Sequence, residues 1–311
     1  MAPKVTVSIV NYNTRHFLEK CLPSVMAQSY PDTEVVLVDN GSADGSVEYV
    51  RAGFPTVKII ENKENLMFCK GQNQGMRAGS GEYVLALNSD VVLDRDFIAG
   101  AVKAMEMDER TGSVSGRILR MDGKRIDTTG LFLGRSRKSV ERGYGEADRG
   151  QYAEPGYVFG AGGAAPLYRR AMLEDIALDG EYFDESYGMF CEDLDLAWRA
   201  ARRGWRAYYT PRAVAYHARG GTARTEKTPG FMSGYALASL PDTLKAKVLV
   251  NRWMTIIKND RPLDFLLNLP FILLYDIKVW AYLALFAPGA IPLFLRDLKL
   301  LRLAWRRRKT F

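Results

Sequence analysis

The chain has 311 residues, 47% apolar and 25% charged, with a formal net charge of +7. That balance excludes a disordered polymer or a disulfide-built miniprotein and fits one large domain, or a domain with an appendage. Three widely separated cysteines, Cys21, Cys69 and Cys191, are in no metal-ligand spacing and point to a reducing, cytosolic setting.

From the start, "MAPKVTVSIVNYN" reads as a first strand over 5–12 and not as a secretory signal. The pattern Phe17, Cys21, Leu22, Val25, Met26 predicts a helix, and "EVVLVDN" (34–40) a second buried strand. "GSADGSVEYVRAG" turns and starts another helix, "VKIIEN" (57–62) is a third strand, "CKGQNQGMRAG" a short helix, and "EYVLALNSD" (82–90) a fourth strand. This βαβαβαβ rhythm predicts an α/β fold with a mainly parallel sheet and flanking helices. Ligands of such sheets sit beyond the carboxyl ends of the strands, where Asn11–Asn13, Asp39–Gly41, Asn62–Asn65 and Asn88–Asp90 fall.

The stretch 110–156 is basic and glycine-rich, with a weak strand "SVSGRIL" and an expected mobile segment over 131–150. A strand-like "GYVFGAGGAAPLY", a helix over 169–177, a helix starting near Glu192, and two short strands in "WRAYYTP" and "AVAYHA" follow. From about Pro241 the chain turns apolar, but Asp276, Lys278, Pro288, Gly289 and Pro292 interrupt it. Its longest charge-free run, Val279 to Leu295, is shorter than the roughly 20 residues of a spanning helix, so interfacial helices are expected. Seven cations against one acid lie between Arg296 and Lys309, placing nearly all the net charge in a tail suited to an anionic membrane surface. The expected division is a domain over 1–240 and a membrane-associating helical segment over 241–311.

Chemistry-bearing residues gather at few places. Asp90, at the end of a buried strand, suits a divalent ion shared with phosphate oxygens. Asp39 can accept hydrogen bonds from a base or ribose, beside a Gly-Ser turn that lets a ligand approach the backbone. "GAGGAA" (160–165) formally matches a dinucleotide fingerprint, but Pro166 follows and no helix starts there, so its glycines read as room for a substrate. His217 precedes Arg219, Gly220, Gly221 and Thr222, a set able to hold an anion and a metal. Glu192, Asp193 and Asp195 fill one first helical turn, where the macrodipole favours acids. The aromatic, acidic "YFDESYGMF" before them makes a plausible sugar-binding wall where a carboxylate's pKa can be tuned.

Together "VSIVNYN", "VDNGSADGS", "NKENLMFCKGQNQG", "NSD", "GAGGAAPLYRRAMLEDI", "EYFDESYGMFCEDLDLAWRAARRG" and "AYHARGGT" resemble, in order over roughly 4–222, the family-2 glycosyltransferases of GT-A fold, especially their rhamnosyltransferase-like branch. The resemblance implies an inverting transfer of a sugar, with rhamnose or another deoxyhexose favoured, from a nucleotide diphosphate donor to a glycan or lipid-linked glycan. By likeness Asn11, Asp39 and Asn88 bind the nucleotide, with Gly71 and Asn73 near the ribose and diphosphate. Asp90 and His217 hold Mn²⁺ or Mg²⁺, Lys70 and Arg219 help the diphosphate, and Asp193 is the general base with Glu192 beside it. "NSD" departs from the family's metal motif in lacking a first aspartate. The implied location is the inner face of the cytoplasmic membrane, with no nucleic-acid partner. The alternatives are a catalytically silent nucleotide-binding or membrane scaffold of the same fold, or a nucleotidyltransferase, whose phosphate loop "NYNTRHFLEK" lacks.

Overall fold

The computed structural model describes residues 2–219 and 240–308. The opening segments form β1 (Val5–Asn11), α1 (Arg15–Met26), β2 (Thr33–Asp39), α2 (Ser46–Gly53), β3 (Lys58–Glu61), α3 (Met67–Ala78) and β4 (Tyr83–Asn88), close to the expected bounds. There follow β5 (Val91–Leu93), α4 (Phe97–Met105), β6 (Thr111–Arg120), β7 (Ile126–Thr128), β8 (Leu131–Leu133), β9 (Ser139–Glu141), β10 (Gly156–Val158), β11 (Leu167–Arg169), α5 (Arg170–Asp175), α6 (Glu192–Arg202) and β12 (Arg206–His217). The last helices are α7 (Asp242–Asn259), α8 (Pro262–Phe286), α9 (Ala290–Asp297) and α10 (Lys299–Arg307).

The main sheet runs β10-β12-β6-β11-β4-β1-β2-β3. Strands β3, β2, β1 and β4 are mutually parallel, and β11 lies antiparallel between β4 and β6. Register aligns Asn11 with Asp39 and Val10 with Asn88, so three of the polar strand ends reach one edge together.

Helix α3 lies flush on β1 because Gly71, Gly75 and Gly79 recur every four residues along one side. A Cβ at Gly71 would come within 3.0 Å of both Val10 methyls, and Cβ atoms at Gly75 and Gly79 would collide with Ser8 and Thr6. The polar side chains beneath are satisfied in place: Ser8 Oγ donates to Gln72 Oε1 (2.7 Å), and Thr6 Oγ1 accepts from the Gly81 amide (2.9 Å).

Several expectations are corrected. "GYVFGAGGAAPLY" is not one strand: β10 and β11 flank a loop over 159–166. The two short strands after Trp205 are one twelve-residue strand, β12, whose register shifts between Tyr209 and Val214. The segment expected to be mobile contains the paired strands β8 and β9. The apolar C-terminal run holds an unbroken 25-residue helix, α8, long and apolar enough to cross a membrane by length and composition.

The chain divides into two compact units, Met1–Phe132 with Glu141–Ala218, and Leu133–Val140 with Arg219–Phe311. The expected boundary at 240 borders residues outside the described set, and the second unit also takes the 133–140 segment.

The flush contact of α3 gives a stability test. Gly75→Ala should lower the unfolding free energy by about 1–3 kcal/mol, because Ser8 is held by Gln72 and has no room to yield. Denaturant unfolding with an unchanged midpoint would contradict that packing.

Candidate active site

The edge formed by β1 and β2 is bound together before any ligand arrives. Asn11 Nδ2 donates to Asp39 Oδ1 (2.7 Å) and Ser42 Oγ (2.9 Å), while Asn11 Oδ1 accepts from Thr14 Oγ1. The Ser42 amide donates to Asp39 Oδ2 (2.8 Å), and Thr14 Oγ1 meets Ser89 Oγ at 2.9 Å. Asn11, expected to hold a nucleoside, is fully buried, and its amide is engaged by protein and shapes the 39–42 turn. Asp39 is also almost closed off, but a carboxylate has about four lone-pair sites, and each oxygen here accepts one bond named above.

Gly71 and Asn73, expected beside the ribose and diphosphate, both make contacts within the protein. Gly71 faces β1, as described. Asn73 is fully buried, accepts from the Phe183 amide (2.9 Å), and donates to the Phe183 carbonyl (2.8 Å) and Glu185 Oε1 (3.1 Å). It clamps the aromatic 181–187 stretch to α3. Lys70 is exposed on α3, and Arg219 has a left-handed backbone with φ of 53°. Gly220, Gly221 and Thr222 lie outside the described residues.

Asp90 and His217 do meet. The β5–β12 pairing sets His217 opposite Val91, and its Nε2 lies 3.2 Å from Asp90 Oδ1. His217 Nδ1 is 2.8 Å from Oδ2 of Asp127, a fully buried residue on β7. Asp127 Oδ1 in turn pairs with Arg120 Nε at 2.9 Å. Burial alone would depress the His217 imidazole, but the hydrogen bonds and charges of Asp127 and Asp90 outweigh it and raise its pKa to about 9. Asp127 and Arg120 were not anticipated from sequence; the signal available was an acid in the otherwise uncharged run 126–134.

This set fits a divalent ion shared with a ligand. Among the described residues no three His, Cys, Asp or Glu side chains form a metal cluster, so protein alone makes no complete shell. One carboxylate and one imidazole nitrogen converge, and Asp127 orients the ring from behind, as a carboxylate does for a metal-bound histidine. A cation taking its other ligands from phosphate and water needs only one or two protein carboxylates or equivalents.

The acids of α6 divide by environment. Asp195 is fully buried and pairs with the equally buried Arg199 at 2.9 Å, with the Tyr187 hydroxyl 3.2 Å from its other oxygen. Arg199 also binds the carbonyls of Ile176 and Tyr182. Asp195 is therefore structural. Glu192 and Asp193 follow two left-handed residues, Phe190 (φ 70°) and Cys191 (φ 65°), a strained entry of the kind found at functional sites.

Asp193 faces the glycine loop. A Cβ at Gly163 would stand 3.3 Å from Asp193 Oδ2, and one at Gly160 would approach the Ala197 methyl at 2.5 Å. The same loop accepts a hydrogen bond at the Ala164 carbonyl from the Asn88 amide (3.0 Å), tying α6 to the end of β4. Glu192 Oε2 is shut off from solvent without a hydrogen-bond partner. Burial first, then the charges of Asp193 and Asp195, raise the Glu192 pKa to about 8 against the opposing pull of its own backbone N–H. Glu192 is thus mostly protonated at neutral pH.

Among curated proteins the chain is 24% identical over 220 residues to poly-beta-1,6-N-acetyl-D-glucosamine synthase of Staphylococcus aureus strain COL, covering 68% of this chain and 49% of the relative. The Staphylococcus epidermidis synthase is 23% identical over 207 residues, covering 66% and 47%. The chain thus spans about half the length of these curated relatives. Among solved structures, mannosyltransferase PcManGT from Pyrobaculum calidifontis, in complex with GDP-Man and Mn²⁺, aligns with TM-score 0.57 and 24% identity over 98% of this chain and 76% of that one. TarS 1-349 of S. aureus, in complex with UDP, aligns with TM-score 0.54 and 18% identity over 83% and 67%. The family model for glycosyl transferase family 2 matches residues 6–177, more than half of the chain. With its strand-end motifs set along one sheet edge, the protein belongs to glycosyl transferase family 2 and has the GT-A fold.

Proposed function

We propose that this protein is an inverting glycosyltransferase that moves a sugar from a nucleoside diphosphate donor to a hydroxyl of a glycan or lipid-linked glycan. The observation that carries the reading is Asp193 against Gly163, on a loop bonded to the strand end that leads into Asp90. The nucleoside lies at the β1–β2 edge, where Asn11 and Asp39 hold the turn and Asn88 ends the neighbouring strand. Rhamnose or another deoxyhexose is the favoured donor sugar on the sequence resemblance alone.

A glycosyl transition state is oxocarbenium-like, and direct displacement needs one carboxylate to take the acceptor's proton on the face opposite the leaving group. Asp193 performs that step, and Glu192, protonated beside it, adds no second charge. Asp90 and His217 would hold a divalent ion, whose chemistry would be to neutralise charge on the departing diphosphate. Asp127 keeps the His217 ring in place, and Lys70 and Arg219 are the cations assigned to the diphosphate.

The enzyme works, on this reading, at the inner face of the cytoplasmic membrane, and the exposed leucines of α8 support it.

Roles within the acidic pair separate on substitution. At pH 7, Asp193→Asn should lower sugar transfer by about 10²–10⁴-fold with donor binding retained, whereas Glu192→Gln, which mimics the protonated acid, should keep most of the rate. A steady-state assay in which Asp193→Asn turns over normally would remove Asp193 as the base; donor binding without turnover in the unaltered protein would favour a silent scaffold.

The residue behind the histidine is tested by metal titration. Asp127→Asn should weaken Mn²⁺ affinity, measured with a nucleoside diphosphate present, by about 10–100-fold. Unchanged affinity would place the metal elsewhere.

A further inference from the structure

Helix α8 turns one narrow row inward, with Ile272, Asp276, Val279 and Leu283 buried at alternating spacings of four and three. Elsewhere it leaves Leu266, Leu267, Leu274 and Ile277 between 54% and 65% exposed. Exposed aliphatic side chains in such a concentration mark an interaction or membrane surface. Asp276, which interrupts the apolar sequence, is withdrawn from that surface and pairs with Arg252 at 2.7 Å.

Within the same unit, a groove of about 470 Å³ combines this apolar surface with cations. Arg135 and Lys138 come from the 133–140 segment, and Phe271, Leu274, Tyr275 and Lys278 from α8; among the described residues no acid lines it. The Arg135 guanidinium lies 3.8 Å from the Phe271 ring centroid, and its Nε reaches Asn268 Oδ1 at 3.4 Å. The aromatic face and the amide hold the guanidinium beside an apolar wall.

We infer that this groove takes the phosphate of an anionic lipid, while the exposed leucines of α8 rest among the acyl chains. The inference deepens the membrane-surface reading above and rests on it. Arg135 and Lys278, with Lys138 beside them, complement a phosphate, and the Phe271–Leu274 wall gives its hydrocarbon chain an exit that free phosphate would not use. A second copy of the chain would bring the same cations towards each other, which disfavours it as the occupant.

The test is co-sedimentation of the full chain with phosphatidylcholine vesicles and with vesicles also containing phosphatidylglycerol. The unaltered protein should prefer the latter. A variant with Arg135→Ala, Lys138→Ala and Lys278→Ala together should lose that preference by on the order of 100-fold, about fivefold per cation. Lys278→Glu alone, at an exposed position on α8, should lose at least about fivefold and guards against a folding defect in the triple variant. Partitioning of both variants like the unaltered protein would overturn the groove while leaving membrane association intact. Failure of the unaltered protein to bind any vesicle would overturn the membrane reading and this site with it. Tight binding of inorganic phosphate in solution, lost in the triple variant and without vesicle preference, would reassign the groove to a soluble ligand and overturn the lipid.

Discussion

The buried pair of Arg199 and Asp195 is the contact on which the acidic end of the site depends. Both side chains are closed to water, and Arg199 also binds the carbonyls of Ile176 and Tyr182. Removing one partner of such a pair leaves a buried charge and costs roughly 3–5 kcal/mol, so helix and preceding segment are locked together. With α6 fixed, the chain enters it through the left-handed Phe190 and Cys191, and Glu192 and Asp193 occupy its first turn. An acid that reads as one of three equivalent helix-start carboxylates is the anchor that places the other two.

The rest of the site follows from close backbone approach. Glycines at 71, 75 and 79 bring α3 onto β1, and Asn73 on that helix clamps the 181–187 segment ahead of α6. Glycines at 160 and 163 bring the loop between β10 and β11 onto α6. Through Ala164 the loop is bonded to Asn88, two residues before Asp90. The acidic pair, the strand end and the Asp90–His217 pair are thus joined by hydrogen bonds and glycine contacts within one unit. The low polarity around Glu192 that keeps it protonated is a product of the same packing.

Much of this was legible in the sequence where the signal is local. The first four strands are apolar runs closed by Asn or Asp, and their polar ends do align on one edge. The convergence of Asp90 with His217 was also anticipated, on family resemblance. What escaped depends on distant partners. Asp127 acts on a histidine 90 positions away; an acid in an uncharged run marks it as unusual, but not which partner it meets. Asn73 looks like a ligand-binding polar residue until Phe183, 110 positions on, occupies its amide. Arg199 reads as a solvated helix-end charge because its carboxylate and carbonyl partners meet only in the folded core. Asp276 reads as a break in an apolar run because its neutralising partner, Arg252, lies on another helix.

The central claim is that a single carboxylate, Asp193, deprotonates the acceptor for direct displacement of a nucleoside diphosphate. The anomeric configuration of the transferred sugar, read by NMR on the first-formed product, tests it most directly. Inversion relative to the donor is expected, since a single base activating the acceptor hydroxyl gives one displacement. Retention of configuration would require a second displacement or a front-side path, and would contradict the role given to Asp193.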